Sequence, residues 1–444
     1  MEFQNHKRNE YGKCDVPSNT LRRIKDGFER LNLDVTYAPV DISKNLHWGR
    51  IWIDSLRIIC EGKGISPEMA EASAYAELTE RLSGGMFYPV FEEQVRFNIP
   101  ALYNKNATRF LDFEWLPGHI RAHQEELQDP LRIEDLLVNE TQLKQSDIEE
   151  IKNSRMAQNW VDGYSVLRNE KIKVPINFAA YIHGSNGMAA GNTLEEAIIQ
   201  ASCEIFERHV QVRAIKNELT VPGIDTRSVD IPIIKEMIGF FEKKNVSVKI
   251  KDLSMGGLFP VIGVLFTNKN LSPDRMEHRI MIPGASFNLD EGLTRCFTEG
   301  MQGRQSLLAP RKELDRPVIP SSRVANLYLL MRCGVSPKDI SFLERGETIR
   351  YNGKKSSDGL LGEIDSLKSI CSRLETDCIV IDHTHPVLKF PVVRIIIPGV
   401  SDFLPFLNPD ILVAKETKPS ATWQSEKFAE VMESFFSTEK TFSP

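Results

Sequence analysis

Three segments of this chain repeat one frame of small residue, small residue, acid, second oxygen ligand and arginine. Ala70, Ala74, Glu77, Glu80 and Arg81 recur as Ala197, Ala201, Glu204, Glu207 and Arg208 at identical spacing. A third segment places Gly292, Cys296, Glu299 and Gln302 in the same frame, with Arg304 following. Residues at i and i+3 share one helix face, so each segment predicts a helix that presents two oxygen ligands side by side. The small residues upstream of the acids permit another helix to approach closely on that side. Helix starts are marked as well. Ser66-Pro67 supplies an N-cap with proline at the first helical position, Thr193 with Glu196 forms a capping box, and Asn288 with Glu291 serves similarly.

Taken singly, two glutamates one turn apart are most often a solvated face. Here the flanks argue otherwise, because Leu78, Leu82, Ile205, Phe206, Val210, Phe297 and Met301 surround the acids with apolar residues. Like charges a turn apart destabilise a helix by roughly 0.2–0.5 kcal/mol, and burial raises that cost steeply. Three such faces in one frame therefore predict a site that needs cations. Carboxylates and an amide oxygen, with no accompanying His/Cys set, suit hard Mg2+ over zinc. Mg2+ commonly completes its octahedron with substrate phosphates. Glutamates interleaved with Arg81, Arg208 and Arg295 thus point to a nucleoside triphosphate, with the arginines neutralising phosphate oxygens.

Familiar nucleotide signatures do not occur. Lys63 is followed by Gly64 and Lys13 by Cys14, so there is no G-x-x-x-x-G-K-[ST]. No kinase-type H-R-D or D-F-G set is found either. The run Gly187-Met-Ala-Ala-Gly191-Asn192-Thr193 leads into a helix start, where backbone N–H groups and the helix dipole favour anions.

Four runs together resemble the YcaO family. They are Gly62-Lys63-Gly64 with Ser73, Glu77, Glu80 and Arg81; Ser185 to Thr193 with Glu204, Glu207 and Arg208; Arg295 with Glu299, Gln302, Gly303 and Arg304; and Pro391-Val-Val-Arg394-Ile-Ile-Ile-Pro398-Gly399. The resemblance spans residues from about 10 to about 415. The second and fourth runs, with Ser401-Asp402 after the last, are most similar to stand-alone members of the ribosomal methylthiotransferase-accessory type. The resemblance implies an α+β fold of the YcaO ATP-binding type, with mixed sheets and helices bearing clustered glutamates. It also implies ATP and Mg2+ as cofactors. Ser73, Glu77 and Glu80 match the first nucleotide motif; Ala189, Asn192, Glu196, Glu204, Glu207 and Arg208 match the second; Arg295 and Glu299 match the third. Lys13 and Thr20 match an N-terminal lysine and hydroxyl that reach the nucleotide, although Lys13 also reads as a tail lysine. So assigned, Glu77, Glu80, Glu204, Glu207 and Glu299 hold metal, while Lys13, Thr20, Ser73, Ala189, Asn192, Glu196, Arg208 and Arg295 hold nucleotide. Arg295, Glu299 and Gln302 form the catalytic set.

The chemistry implied by the resemblance is ATP-dependent activation of a backbone amide in a peptide or protein. A nucleophile adds to the carbonyl, the resulting oxygen is phosphorylated, and phosphate leaves. Amide oxygen is a poor leaving group, and positioning with electrostatic stabilisation supplies most of what such a transfer asks of a protein. Azoline-forming members carry a P-x-P-x-P tail, whereas this chain ends Thr441-Phe442-Ser443-Pro444. Thioamide-type modification with an external sulfur source is therefore the expectation. The alternatives are a nucleotide-binding accessory to a ribosomal-protein methylthiotransferase and an azoline-forming cyclodehydratase. Partners on this view are the peptide or protein substrate, a sulfur-donor or methylthiotransferase protein, and a second copy in a homodimer.

Length and composition agree with a large enzyme. The 444 residues include 41% hydrophobic residues and carry a net charge of −6, which argues against disorder and against nonspecific nucleic-acid binding. The seven cysteines show no C-x-x-C pair. With no signal peptide and no long apolar run, the expectation is a cytoplasmic protein that does not enter membranes. Cys203 and Cys296 read as small packing residues, His383 and His385 as structural, and Trp48, Trp52, Trp115 and Trp160 as core or lid anchors. Strands are predicted at Arg50–Cys60, Ile176–Ile182, Pro260–Phe266, Arg279–Pro283, Cys378–Asp382 and Val392–Ile397, and helices at Gln142–Asn153 and Ile231–Lys244. The chain divides into an N-terminal segment (1–50) that contributes to the nucleotide site, a main domain (51–415) and a tail (416–444). Within the main domain, 100–160 reads as an inserted subdomain or lid and 310–375 as irregular. The first dozen residues read as mobile without ligand.

Overall fold

The computed structural model describes residues 1–10, 12–54, 58–84, 113–139, 144–154, 157–273, 275–302, 340–353 and 359–401. Three sheets are built among them, with burial alternating along Leu46–Ile53 and Ile58–Gly64, as expected of strands with one covered face, and near-continuous along Val261–Asn268 and Val392–Ile396, which are covered on both. The first is an antiparallel meander of β1 (Thr36–Ser43), β2 (Leu46–Ile53) and β3 (Ile58–Gly64). The third sheet's early strands are β4 (Ile120–Arg121), β5 (Asn159–Ser165), β6 (Glu170–Pro175) and β7 (Met188–Ala190). The second sheet is formed by β8 (Gly223–Ile224), β9 (Val246–Asp252), β10 (Val261–Asn268), β11 (Arg279–Ala285) and β12 (Thr348–Ile349). Its order is β11-β10-β9-β8-β12. The third sheet is completed by β13 (Ile379–Asp382) and β14 (Val392–Ile396), in the order β4-β5-β13-β14-β7 with β6 on β5.

Eight α-helices accompany the sheets among the described residues: α1 (Pro17–Arg30), α2 (Pro67–Ser83), α3 (Gln145–Lys152), α4 (Ile176–His183), α5 (Leu194–Lys216), α6 (Pro232–Lys243), α7 (Leu289–Met301) and α8 (Leu360–Arg373). Helix α5 is the hub. Its Ile198, Ala201, Ile205 and Phe206 share one core with Val261 and Leu265 of β10, Met281 of β11, Val393 and Ile395 of β14, and Ile364 and Leu367 of α8. It is thus held between the second and third sheets, which is why apolar residues occur all round it. The opposite face of β10 is covered by Phe241 of α6 and Leu293, Cys296 and Phe297 of α7. Helices α1 and α2 cover the first sheet, through Ile24, Phe28, Ala74, Leu78 and Leu82 against Ile51, Ile53 and Cys60. None of these helices is long and apolar enough to cross a membrane.

The small residues of the repeated frame permit close approach to strands and their ends. A Cβ on Gly62 of β3 would lie 2.1 Å from the Ala74 nitrogen and 2.3 Å from the Ala70 carbonyl oxygen. One on Gly191, just past β7, would lie 2.5 Å from the Ala197 nitrogen, and one on Gly284 of β11 would lie 2.2 Å from the Gly292 oxygen and 2.8 Å from Cys296 Sγ. All three acid-bearing helices are therefore seated on a glycine, each in the same way. That repetition sets their common depth.

Other differences from the sequence reading have local causes. Ile176–Ile182 is not a strand but the first residues of α4. Ile176, Ala179 and His183 are buried at helical spacing, whereas a short apolar run by itself does not distinguish the two states. Arg50–Cys60 is not one strand but a hairpin, with Ile53 paired to Ile58. Within 310–375, where an irregular segment is expected, residues 360–373 form α8, capped at a glycine with φ of 112°. The segment 113–151 supplies Phe113, Leu116, Ile133, Leu136 and Ile151 to the core that holds β5, β6 and β13. Residues 1–10 are also folded against the body rather than free, as detailed below.

The glycine seat gives a paired expectation. Gly62→Ala forces α2 off β3 and costs about 2–4 kcal/mol of stability. Gly239→Ala, in α6 with nothing within 4 Å of the added Cβ, stabilises by roughly 0.5–1 kcal/mol. Thermal unfolding of both variants checks this, and a Gly62→Ala protein with unchanged Tm contradicts the seat.

Candidate functional site

Each acidic helix starts where its sequence predicts. Ser66 Oγ accepts from the Met69 amide at 3.3 Å, with Pro67 at the first position of α2. Thr193 Oγ1 accepts from the Glu196 amide at 3.2 Å at the start of α5. Asn288 caps α7 through the Asp290 amide at 3.2 Å, while its Nδ2 donates to Glu291 Oε1 at 3.1 Å. Fixed at these starts and on the glycine seats, the helices bring Glu80 of α2, Glu204 and Glu207 of α5 and Glu299 of α7 within reach of one another's charge.

Ion pairs show how the faces meet. Arg295 Nη2 of α7 lies 3.3 Å from Glu207 Oε1 of α5, and Lys63 Nζ of β3 pairs with Glu299 of α7. Arg81 Nη2 is 3.2 Å from Glu77 Oε1, and Arg208 Nη2 is 3.6 Å from Glu204 Oε1. These side chains are only partly buried. Side-chain exposure is 21% for Glu204, 24% for Arg208 and 25% for Glu299. Glu207 is the most enclosed, and its Oε1 accepts from the Ala285 amide at 2.7 Å.

Electrostatics confirms the crowding. Burial pushes the Glu80 carboxyl well above the usual carboxylate range; Arg81 opposes this, and Glu204 and Glu77 add to it. Glu204 is likewise raised, by burial first and then by Glu207 and Glu299 against the pull of Arg208 and Arg81. Glu207 is raised by burial and by Glu299, with Arg295 opposing. Glutamates of α2, α5 and α7 therefore feel one another's charge. Among the described residues, however, no three His, Cys, Asp or Glu side chains form a ready-made ion cage. Protein cations stand between the acids.

A second group gathers at the start of α5. Thr20 Oγ1 of α1 donates to Asn192 Oδ1 at 2.7 Å, and Asn192 Nδ2 donates to Glu196 Oε1 at 3.3 Å. The Cys14 amide donates to Glu196 Oε2 at 2.7 Å, and Lys13 Nζ lies 3.9 Å from Glu196 Oε1. Burial pushes Glu196 up, but Lys13, the Cys14 amide and Arg8 outweigh it and hold the carboxyl below its usual range. Ser73 is half-buried on α2 one turn before Glu77, and Ala189 is buried on β7, paired with Val393. Arg295 reaches toward this end as well, donating to Gln200 Oε1 at 2.9 Å.

Gln302 stands apart from the expectation. Helix α7 ends at Met301, and Gln302 is its extended C-cap, with φ −62° and ψ 111°. Its Nε2 donates to the Glu61 carbonyl at 3.1 Å. It therefore does not share a helix face with Glu299, and its amide nitrogen ties α7 to β3. Gly303, Arg304, Asp402 and the tail 416–444 lie outside the described residues. Two site residues were not assigned from sequence. Lys63 carries the signal of a lysine between two glycines at a strand end, and Gln200 lies one helical turn after Glu196.

The remaining candidates are structural. Burial holds His183 and His383 down to about 3, helped by Arg394, and His209 down to about 4. His383 Nδ1 lies 3.3 Å from the Ser83 carbonyl oxygen. Burial raises the Cys203 thiol to about 12 and Cys296 well above its usual value, so both stay protonated. Trp160 is fully buried, its Nε1 donating to the Ala122 carbonyl at 3.0 Å.

Comparison with known proteins bears on this site. A family model described as YcaO cyclodehydratase, ATP- and Mg2+-binding, matches residues 61–401. The ribosomal protein S12 methylthiotransferase accessory factor YcaO of Escherichia coli is 26% identical over 399 residues, covering 84% of this chain and 64% of that protein. An uncharacterized Haemophilus influenzae protein is 27% identical over 367 residues, covering 79% of this chain and 59% of its own length. The chain thus spans about three fifths of the length of these relatives. Among solved structures, YcaO from Methanopyrus kandleri bound with AMPPCP and Mg2+ is similar in fold, with TM-score 0.57 and 17% identity over 88% of this chain and 93% of that one. A heterocyclase in complex with substrate and cofactor gives TM-score 0.59 and 18% identity, over 90% of this chain and 54% of that one.

The raised carboxyls bind protons at a pH where the unfolded chain has released them. The ligand-free protein therefore loses stability as pH rises through their raised range. At about pH 8, Glu80→Gln is expected to stabilise the ligand-free protein by on the order of 1 kcal/mol and to abolish any Tm gain from Mg2+ with nucleotide. Identical melting curves for variant and wild type, with and without Mg2+ and nucleotide, contradict the crowding.

Proposed function

The chain belongs to the YcaO family, and on that premise we propose that it uses ATP with Mg2+ to activate a backbone amide of a peptide or protein by O-phosphorylation, for attack by a sulfur or other nucleophile. One observation supports this: glutamates of α2, α5 and α7 feel one another's charge among paired arginines and a lysine, with the Lys13–Thr20–Asn192–Glu196 group at the start of α5. The donor set fits the cofactors. Oxygen ligands alone suit Mg2+, and a divalent ion would offset the burial, and the like charge added to it, that now lift Glu80, Glu204 and Glu207. Glu77, Glu80, Glu204, Glu207 and Glu299 would hold the metal, with Ser73, Asn192, Glu196, Lys13, Thr20 and the backbone at Ala189 around the nucleotide.

ATP with Mg2+, when bound, supplies the phosphoryl group that turns the amide oxygen into a leaving group. The chain's own residues position and neutralise. Arg81, Arg208 and Arg295 now pair with glutamates. Once cations satisfy those acids, the guanidinium groups are free to turn to phosphate oxygens, a geometry that suits their planar donor fork. Lys63 makes the same exchange from Glu299. The dipole at the start of α5 adds an anion-stabilising end. Little covalent chemistry is asked of the protein, and positioning supplies most of the acceleration. Thioamide formation with an external sulfur source is the product class we favour.

A second reading has one observation in its favour, the 26% identity with the E. coli accessory factor. There the chain binds nucleotide and assists a separate methylthiotransferase without a covalent product of its own. Phosphate release measured with a candidate peptide and sulfide, alongside the peptide's mass, separates the two. Release coupled to a mass change supports the enzyme. Stimulation of a methylthiotransferase with an unaltered peptide supports the accessory role.

Glu204→Gln is expected to keep the fold, by circular dichroism, and to lower Mg-ATP turnover at least ~100-fold. Wild-type turnover in that variant removes Glu204 from the metal site.

A further inference from the structure

The N-terminal ten residues are polar in sequence, and Gln4, Asn5, Lys7 and Glu10 are exposed. The segment nonetheless lies as a strap across helix starts. Phe3 meets Tyr164 edge-on at 6.0 Å, the Gln4 amide donates to Glu195 Oε1 at 2.8 Å, and the Leu360 amide donates to the His6 carbonyl at 3.0 Å. Arg8 is its anchor. Nε and Nη2 donate to the two carboxylate oxygens of Glu363 at 2.9 and 2.6 Å, and Nη1 donates to the Gly12 carbonyl at 2.6 Å. Glu363, in the first turn of α8, is 1% exposed.

The anchored turn leads straight into the nucleotide group. The Asn9 amide donates to the Lys13 carbonyl at 2.7 Å, the Gly12 amide to the Asn9 carbonyl at 3.0 Å, and the Lys13 amide to Asn9 Oδ1 at 3.2 Å. Gly12 has φ +70°, and a Cβ there would lie 2.7 Å from the Glu291 carboxyl. Next along the chain, the Cys14 amide and Lys13 Nζ meet Glu196. One guanidinium therefore links α8 to the turn that aims Lys13 at the start of α5.

We propose that Arg8 and Glu363 are positioning residues for the nucleotide, fixing Asn9, Gly12 and Lys13 so that the Lys13 side chain is held in place before ATP arrives. The proposal rests on the reading of this region as an ATP site. Its physical basis is preorganisation. Ordering a free backbone costs about 1–2 kcal/mol per residue, and a strap already ordered by a two-point, charge-assisted pair does not take that cost from binding. Core stability is a poor alternative role, because a buried ion pair exchanged for apolar side chains of similar volume is commonly neutral or stabilising.

The double variant Arg8→Met/Glu363→Met removes the pair without stranding a buried charge. With the full chain, its Tm is expected to match or exceed wild type. The Kd for a non-hydrolysable ATP analogue with Mg2+, read by calorimetry, is expected to rise about tenfold, or about 1.4 kcal/mol, with kcat at saturating ATP within about twofold. Glu363→Gln, which keeps an acceptor for Arg8, gives a smaller rise and serves if the double variant does not fold. The exchange Arg8→Glu/Glu363→Arg recovers part of the lost affinity. Wild-type protein that binds no nucleotide overturns the ATP-site reading itself. Wild type that binds, with variants binding equally tightly, overturns the latch alone.

Discussion

Glutamates of three helices are buried within reach of one another's charge, and the cost of holding them there is the constraint to which the surrounding architecture answers. Burial and like charge lift Glu80, Glu204 and Glu207 out of the usual carboxylate range. A cluster of this kind persists only if the backbone beneath it is held and if cations stand close by. Glycine seats under α2, α5 and α7 provide the first. Arg81, Arg208, Arg295 and Lys63 provide the second. Burying these acids therefore costs stability that the seats and cations offset.

Much of this was legible in the sequence because it is local. Caps, helix faces and the spacing of acids depend on residues within a turn or two, and Ser66, Thr193 and Asn288 each cap as their neighbours suggest. Partner choice is not local. Nothing in the spacing of Arg295 states that it will meet Glu207 of another helix, nor that Lys63, far back on a strand, will meet Glu299. Gln302 shows the limit of periodic reasoning from the other side. The frame places it on the face of Glu299, yet the helix stops one residue short of it, and such boundaries shift by a residue or two for reasons periodicity does not contain.

The small residues of the frame are points of close approach, and the partners they meet include strand glycines. Their partners, Gly62, Gly191 and Gly284, are themselves scattered along the chain, so only the fold reveals that each helix has one. Helix α4 was missed for a similar reason. Its Ile-Asn-Phe-Ala-Ala-Tyr-Ile run is apolar enough for either state, and the neighbouring sheet core, not intrinsic preference, decides.

The Arg8–Glu363 contact joins positions 355 residues apart. A polypeptide emerging from the ribosome holds Arg8 from the outset but cannot tie it down until α8 has been made. The N-terminal strap is therefore latched late in synthesis, and a growing chain passes most of its translation with that strap untied, whatever the order in which its sheets assemble.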